Sequence, residues 1–469
     1  GALTVTAGTG VEVIAGTGAE SLLAQIGHMA YSSANAISGD VSVTALDGGV
    51  RITGGGSTAA YAAIGSGGFG PAEGSTIAGA TRVISQGSDA LDGIVMRSGA
   101  GNYASAHIGH LSQRSVGGAA HPVAGLSGDV EVSIAGGGLS MEAVDGAFSH
   151  VMIGHGGRDS SGNKSGKVTV TVDAGDLVMK GGTANSADRY NHAQIGHGGY
   201  GNGVFGSYSG DIEVEATTGA IDLLAGESGF SYARIGHGGS GAGDSSVLTL
   251  GGAISVKAGE DLTVAGGTRG NADAQIGHGG RLYAVDAPVG RSAITASPIT
   301  VEAGGDVLVL SGSVSYTPAK IGHGGTQLKL SSFGESSIEV KAGGDLRLVS
   351  PQFETYTAVA YSNTSIGHGG AFATVGDGLS GYSGDLSVDA GGKIDVLASK
   401  NSGTYNWSLI GHTSYYSSNS RGIHSGDISV KSGTVAGLGE YGLTIRAASG
   451  DFSSLPGLSA TGSYYSFAV

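Results

Sequence analysis

One short tag recurs along this chain of 469 residues and constrains its fold more than any other feature. The tag Ile-Gly-His-Gly-Gly occurs at 153–157, 195–199, 235–239, 276–280, 321–325 and 366–370. Related copies begin at Ile26, Ile64, Ile108 and Ile410, and neighbouring copies lie 38 to 45 residues apart. A period of this length indicates stacked supersecondary units and predicts a solenoid.

Each unit contains three short runs that read as strands. In the unit that ends at 276–280, residues 254–258 (Ile-Ser-Val-Lys-Ala) alternate apolar and polar side chains, as do residues 262–265, and the third run ends at Ile276. Glycine-rich corners separate the runs, and period-two alternation is typical of half-buried strands. We therefore predict an all-β right-handed parallel β-helix with three sides. It would have about ten rungs of a repeat of roughly 42 residues, with loop insertions.

The amino-acid composition of the chain fits the predicted β-helix. The chain has 93 Gly but only 7 Pro and no Gly-X-Y period, which excludes collagen, and its short Val, Ile and Leu runs argue against disorder. A net charge of −15 argues against nucleic acid or an anionic membrane as partner. No run of 18 apolar residues occurs, so we expect no membrane insertion.

The chain divides into two expected segments. Residues 1–432 are the expected repeat domain, and residues 433–469 are expected to be a degenerate C-terminal rung or assembly segment.

The direction of each side chain follows from the alternation. Ile at the tag and the small residue two positions before it would face the core, whereas the intervening Gln, Arg or Lys would face outward. The segments after each tag, such as 200–209, are expected to be loops that tolerate deletion. One rival arrangement, two shorter coils per unit, stays open at this point.

The repeat resembles that of filamentous-haemagglutinin-like large exoproteins, including those exported by two-partner secretion. The resemblance rests on Gly-Asp-Ile-x-Val-x-Ala at 210–216, on Leu-x-Val runs next to a Gly-Gly pair, such as 262–264 before 266–267, and on the tags, and it covers nearly the whole chain. It implies a secreted or cell-surface bacterial protein whose β-helix is a shaft that functions in adhesion, aggregation or contact-dependent competition. The family's Asn-Pro-Asn-Gly secretion signature does not occur in this sequence.

The tag histidines form the first candidate functional set. They are His110, His155, His197, His237, His278, His323, His368 and His412, with His28 in the same column and Ser66 interrupting it. Each lies two residues beyond an inward Ile, so we interpret the set as an inward-facing structural ladder. Metal binding is the alternative, although a straight column of single residues does not converge on one point as tetrahedral zinc ligands do.

An aromatic column forms the second candidate set. Five residues before the tag Ile, seven units carry Tyr103, Phe148, Tyr190, Phe230, Tyr316, Tyr361 and Tyr405. If the strand is extended here, these rings share the outward face and make a surface stripe for docking glycans or proteins. The alternative is that the loops after the tags fold over the rings and bury them.

These observations predict an extracellular structural or adhesive protein that acts as a shaft, surface fibre or matrix subunit. We expect no enzyme activity, no catalytic residues, no cofactor and no metal. Its expected partners are other copies of itself, end to end, and host or matrix glycans or proteins. Two alternatives stay open. One is a carbohydrate-binding module that uses the aromatic column. The other is a polysaccharide lyase or hydrolase, because β-helices also carry such enzymes.

Overall fold

The computed structural model describes residues 1–448 except 19–21, 30–35, 70–73, 114–122, 145, 184–188, 202–204, 240–246, 282–291, 327, 351–360, 372–373, 376–379, 400–406, 416–422 and 434–441. Residue 405 and the segment 449–469 therefore lie outside the described residues. Within the described part the chain is all-β, and no helix long and apolar enough to cross a bilayer is found there.

Two eleven-stranded parallel sheets and one of ten strands enclose the core. The first sheet comprises Leu3–Ala7, Val41–Ala45, Thr81–Ser85, Val130–Ile134, Val168–Val172, Ile212–Ala216, Ile254–Ala258, Ile299–Ala303, Ile338–Ala342, Leu386–Ala390 and Ile428–Ser432. The second comprises Val11–Ile14, Val50–Thr53, Ile94–Arg97, Leu139–Glu142, Leu177–Lys180, Ile221–Leu224, Leu262–Ala265, Val307–Leu310, Leu346–Ser350, Ile394–Ser399 and Leu443–Ala448. The third, which carries the tags, comprises Ala24–Ile26, Ala62–Ile64, Ala106–Ile108, His150–Ile153, His192–Ile195, Tyr232–Ile235, Asp273–Ile276, Ala319–Ile321, Thr364–Ile366 and Ser408–Ile410.

A fourth sheet is formed by the segments that follow the tags. Its strands are Ala36–Ser38, Thr76–Ala78, Gly125–Ser127, Asn163–Ser165, Phe205–Ser209, Val247–Gly251, Ser292–Ile294, Lys329–Phe333, Thr374–Val375, Ser380–Ser383 and Ile423–Ser425. Two small sheets pair Gly67–Phe69 with Leu111–Gln113 and Gly369–Ala371 with Thr413–Tyr415. Each unit thus contributes a fourth strand that the sequence did not lead us to expect.

The strand register shows how many coils one unit makes. Val256 in the first sheet pairs with Val214 of the preceding unit and with Val301 of the following unit. Each coil therefore closes after one repeat unit, and the chain is a parallel β-helix with one coil per unit. The two-coil alternative is wrong.

The core consists of the columns that the alternation predicted. Ile235, Ile276 and Ile321 pair in register and are fully buried, as are the small residues two positions earlier, such as Ala233 and Ala319. In the first sheet, the strand Ile254–Ala258 alternates buried and exposed residues along its whole length. The inward assignment of the Ile and Ala columns is confirmed.

The tag glycines allow neighbouring coils to approach closely. Gly198 has φ of +134°, and a Cβ atom placed on it would lie 2.0 Å from the carbonyl oxygen of Gly238 in the next coil. Both its backbone conformation and its surroundings therefore exclude any side chain.

We expect Gly198→Ala to lower the free energy of unfolding by about 2 kcal/mol or more, because the methyl group must displace backbone and hold an unfavourable φ. Gly18→Ala is the matched control, since nothing lies within 4 Å of a Cβ atom at Gly18. Denaturant titration of both variants measures the difference. Equal stability of the two variants would contradict the close approach of the coils.

The segment 200–209 is not the dispensable loop that we expected. Phe205–Ser209 is a strand that pairs with both neighbouring coils, and the ring of Tyr208 is only 2% exposed. Tyr208 belongs to a second hydrophobic cluster, which also contains Leu248 and Leu250 of the next fourth-sheet strand. The assignment of residues 205–209 to a loop is therefore wrong, and we expect a deletion within this strand to destabilise the fold.

Truncation within this strand gives a direct measure of the second cluster. We expect Tyr208→Ala to cost about 3 kcal/mol of stability, because it opens a cavity among buried apolar groups. Phe205→Ala removes a ring from the same strand that is 44% exposed, and we expect a loss below about 1 kcal/mol. Chemical denaturation measures the free energy of unfolding of both variants. A larger loss for Phe205→Ala than for Tyr208→Ala would contradict burial of the fourth sheet.

Candidate functional site

The tag histidines form one continuous column of stacked rings. From His110 to His412, consecutive ring centroids lie 4.6–5.0 Å apart and the ring planes are within 13° of parallel. The seven rings from His110 to His368 are fully buried, and His412 is half-buried. The spacing equals the separation of neighbouring strands, so the strand register sets the ring stack.

Hydrogen bonds fix the protonation of each ring. The Nδ1 atom of His197 accepts the backbone N–H of His155 at 3.0 Å, and its Nε2 atom lies 2.9 Å from the carbonyl oxygen of Gly166. The same amide-to-Nδ1 bond, 2.9–3.1 Å long, joins every consecutive pair from His110 to His412. Because Nδ1 accepts, the proton of the neutral ring is on Nε2, which donates to the carbonyl.

Ser66 replaces one imidazole without breaking the pattern. The backbone N–H of His28 donates to the Ser66 hydroxyl at 3.3 Å, and the backbone N–H of Ser66 donates to Nδ1 of His110 at 3.4 Å. The column therefore requires an acceptor at each position, and a neutral hydroxyl meets that requirement. This is the behaviour of a structural ladder.

Burial makes the rings difficult to protonate. Loss of hydration lowers the pKa of His110 and of His237 to about 4. The pKa of His155 is also well below the usual value, first because of burial and then because its neighbours in the column would repel a second charge. The same direction and the same leading cause apply to His197, His278, His323 and His368.

The ladder geometry bears on the metal alternative. In each ring both nitrogens face backbone groups, so no lone pair is directed at a common centre, as metal coordination would require. Among the residues that the structure describes, no group of three or more His, Cys, Asp and Glu converges on one point.

The column of Gln, Arg and Lys does not face solvent as we expected. Gln194 and Arg234 are fully buried, and Gln275 and Lys320 are 2% and 7% exposed. The amide of Gln194 donates to the carbonyl oxygens of Gly236 and Gly238, both at 3.0 Å, so the tag backbone closes over it. The side chains point away from the core, but a second layer covers them.

The aromatic column is not on an extended strand. Tyr103, Phe148, Tyr190, Phe230 and Tyr316 all have φ between +56° and +62°, which is a left-handed turn conformation. The expectation that they share an extended outward face is therefore wrong. The first four rings are half-buried and stack on one another with centroids 4.7–5.4 Å apart.

Residues after the tags pack onto these rings. The guanidinium of Arg158 lies 4.5 Å from the ring centroid of Tyr103 and 4.7 Å from that of Phe148. The ring of Tyr200 contacts Phe148 and Tyr190, with centroids 5.5 and 4.7 Å apart. The aromatic column is thus partly covered, and because the rings stack on one another, mainly their edges remain open.

The remaining aromatic positions differ from this pattern. Tyr361 stacks on Tyr316 with centroids 5.2 Å apart and is 5% exposed. Tyr405 lies outside the described residues. His150, His192 and Tyr232, which follow Phe148, Tyr190 and Phe230 by two residues, are at most 1% exposed and stack in a second buried column.

Sequence reasoning missed the residues that cover the rings. Arg158, Tyr200 and Arg281 each lie five residues after a tag Ile, and this recurrence of large side chains was the available signal. The guanidinium of Arg281 lies 4.7 Å from the ring centroid of Tyr316 and 5.8 Å from that of Phe230. In this unit Asn271 stands five residues before the tag Ile, where seven other units carry an aromatic residue. The guanidinium of Arg281 therefore lies where the aromatic column is interrupted.

Comparison with known proteins adds no relative to this description: no family model, no curated protein and no solved structure matches the chain.

Proposed function

We propose that this chain is an extracellular structural or adhesive protein, a β-helix that serves as a shaft, surface fibre or matrix subunit. The observation that carries the proposal is the continuity of the stack. First-sheet strands pair in parallel from Leu3–Ala7 to Ile428–Ser432 without a break, and the histidine ladder joins consecutive coils in addition. Each coil contacts mainly its neighbours, so the molecule is extended along one axis, as a shaft requires.

The outer faces of the sheets support the same proposal. Opposite charges on neighbouring coils pair across the first sheet, as in Lys257 with Glu215 at 2.8 Å and Lys431 with Asp389 at 2.9 Å. Charged, paired surfaces keep a long β-structure soluble and disfavour sheet-to-sheet aggregation. Export and surface display remain part of the proposal, supported by the resemblance of the repeat to large bacterial exoproteins.

Glycan docking is a second candidate function. The observation in its favour is that four consecutive coils each carry an aromatic residue that is half-buried and not fully buried: Tyr103, Phe148, Tyr190 and Phe230. Since the ring faces are occupied by one another, a sugar would meet ring edges, phenolic hydroxyls and the Arg158 guanidinium. Ligands of this face would be partners of an adhesive shaft, so the two candidates are compatible.

Labelling of intact producing cells tests the main proposal. Antibodies against the chain should decorate the cell surface, and deletion of the gene should reduce adhesion or cell–cell aggregation, with recovery on re-expression. Label confined to the cell interior, or unchanged adhesion and aggregation after deletion, would overturn it. A glycan panel scored for both binding and cleavage by the purified chain separates the adhesive, sugar-binding and enzymatic alternatives.

A further inference from the structure

A short buried segment links the tag at 153–157 to the fourth-sheet strand Asn163–Ser165. Its residue Asp159 has φ of +52°, a left-handed conformation that is uncommon for a residue other than glycine. The next two residues, Ser160 and Ser161, are 3% and 1% exposed. The surrounding coils therefore hold this backbone in an unfavourable conformation, and such conformations concentrate at functional sites.

The carbonyl oxygen of Ser160 accepts hydrogen bonds from two side chains. The Nζ atom of Lys164 donates to it at 2.9 Å, and the hydroxyl of Tyr208 donates to it at 3.2 Å. Lys164 is fully buried and Tyr208 is 2% exposed, so both donors act away from bulk water. Two donors fixed on one carbonyl oxygen stabilise the negative charge that forms there when a nucleophile adds to the carbonyl carbon.

The hydroxyl of Ser161 is placed by the chain itself to be that nucleophile. Ser161 follows the Ser160–Ser161 peptide bond, so its Oγ atom can close a five-membered ring on the carbonyl carbon of Ser160. In the part of the chain that the structure describes, this Oγ atom is buried and has no hydrogen-bond partner. No hydrogen bond therefore holds the hydroxyl away from the carbonyl carbon.

The amino group of Lys164 lies beside Ser161. Besides the carbonyl oxygen of Ser160, its Nζ atom donates to that of Gly162 at 3.1 Å, so it bonds to the backbone on both sides of Ser161. Burial lowers the pKa of Lys164 to about 7, so its neutral amine is populated at neutral pH. A neutral amine next to a serine hydroxyl is a general base.

A small cavity adjoins the same carbonyl group. Ser160, Tyr208, Gly157 and Leu248 are among its lining residues, and it is large enough for about one water molecule. The segment thus combines a polarised carbonyl group, an adjacent hydroxyl, a base and room for water.

We propose that the chain cleaves its own backbone between Ser160 and Ser161. The Oγ atom of Ser161 adds to the carbonyl carbon of Ser160, while Lys164 and Tyr208 stabilise the oxyanion. The C–N bond then breaks, the hydroxyl proton passes to the departing nitrogen, and an ester joins Ser160 to the Ser161 oxygen. Water hydrolyses this ester to a carboxyl group on Ser160 and restores the Ser161 hydroxyl.

This reaction occurs once per chain and needs no external substrate, so it is independent of the proposed extracellular role. The strands on either side, His150–Ile153 and Asn163–Ser165, both pair with neighbouring coils. The two fragments therefore stay associated in the folded protein, and the cleavage is visible only after denaturation.

Incubation of the purified whole chain, with and without hydroxylamine, tests the proposal. Hydroxylamine attacks an ester much faster than an amide, so it traps the intermediate. Denaturing electrophoresis, intact mass and N-terminal sequencing identify the products of wild type, Ser161→Ala and Tyr208→Phe. Ser231→Ala is the matched control, because it also removes a buried serine hydroxyl without a hydrogen-bond partner, in the corner between the second and third sheets.

We expect wild type and Ser231→Ala to give fragments 1–160 and 161–469, the second beginning Ser-Gly-Asn, and hydroxylamine to leave a hydroxamate on Ser160. Ser161→Ala should not cleave, and Tyr208→Phe should cleave about 100-fold more slowly because one oxyanion donor is lost. Circular dichroism checks that each variant is folded. An intact wild-type chain after hydroxylamine, cleavage at another bond, or wild-type rates in folded Ser161→Ala or Tyr208→Phe would overturn the proposal.

Discussion

Acidification below about pH 5 is expected to unfold this protein cooperatively, because its buried histidines resist protonation that the unfolded chain accepts. Burial lowers the pKa of His110 and of His237 to about 4, from the ordinary histidine value of 6.5. As the pH falls below 6.5 the unfolded chain takes up protons first, so the free energy of unfolding decreases until the folded pKa is passed. Stability is therefore fully present above pH 6.5 and lost between there and about 4.

The expected size of this effect is large. A tenfold change in proton affinity is worth about 1.4 kcal/mol, so a ring whose pKa falls from 6.5 to about 4 accounts for on the order of 3 kcal/mol. Burial lowers the pKa of five further rings of the column, so their contributions have the same sign, and the sum approaches the total stability of an ordinary domain, about 5–15 kcal/mol. A protonated Nδ1 would also oppose the backbone N–H that donates to it.

Replacing part of the column separates the histidines from the carboxylates that titrate nearby. The variant with His197, His237 and His278 changed to Gln should fold at neutral pH, since Ser66 shows that the column accepts a neutral group. Its acid unfolding midpoint, followed by circular dichroism, should move to lower pH. His28→Gln, at the half-buried first position, should leave the midpoint unchanged. The same midpoint in the triple variant and in wild type would contradict the account.

Ile276→Asp is expected to prevent stable folding or to lower the free energy of unfolding by about 4 kcal/mol or more. Ile276 is fully buried between Ile235 and Ile321. The change removes apolar contacts and places a carboxylate in the core with no partner, and each of these effects is costly by itself. Equilibrium unfolding in urea and resistance to protease measure the loss.

Leu308→Asp is the matched control for this core substitution. Leu308 lies on the outer side of the second sheet, in register with Arg347 of the next coil. A carboxylate there is hydrated and lies beside a guanidinium, so we expect a change below about 1 kcal/mol. If both variants were equally stable, the assignment of the tag Ile to the core would be wrong.

The coil and its core could be predicted from the sequence because they depend on local alternation. Period-two patterning at 254–258 and 262–265 determines which side chains face in, and the three strand runs of each unit favour one coil per unit, with two coils as the alternative. In the structure, Val256 pairs in register with Val214 and with Val301 in the neighbouring units, which agrees with one coil per unit. The burial of the histidine column follows from the same parity, since each His lies two positions beyond an inward Ile.

The outer layer could not be predicted in this way. Alternation shows that Gln194 and Arg234 point away from the core, but it does not show whether further chain covers them. The fourth-sheet strand Phe205–Ser209 reads Phe-Gly-Ser-Tyr-Ser, which is polar and glycine-rich and lacks the usual strand signature. It is a strand because neighbouring coils pair with it, which is a tertiary effect that single-sequence patterns do not contain.

The aromatic column was misassigned for a different reason. Its residues have left-handed backbone conformations, which are uncommon for aromatic side chains, and nothing in the local sequence distinguishes such a turn from an extended strand. Once the chain turns there, the rings stack with their counterparts in the next coil and contact Arg158 and Tyr200. The column therefore contributes to packing between coils as well as to the surface.

The central claim, one coil per unit held together by a column of neutral histidines, is tested most directly by nitrogen-15 NMR across the ladder hydrogen bonds. The account predicts a scalar coupling between the backbone nitrogen of His197 and Nδ1 of His237, 40 residues apart, with the ring proton on Nε2. The same coupling should link His237 to His278. Rings that carry the proton on Nδ1, or that titrate freely near pH 6.5 without any such coupling, would contradict it.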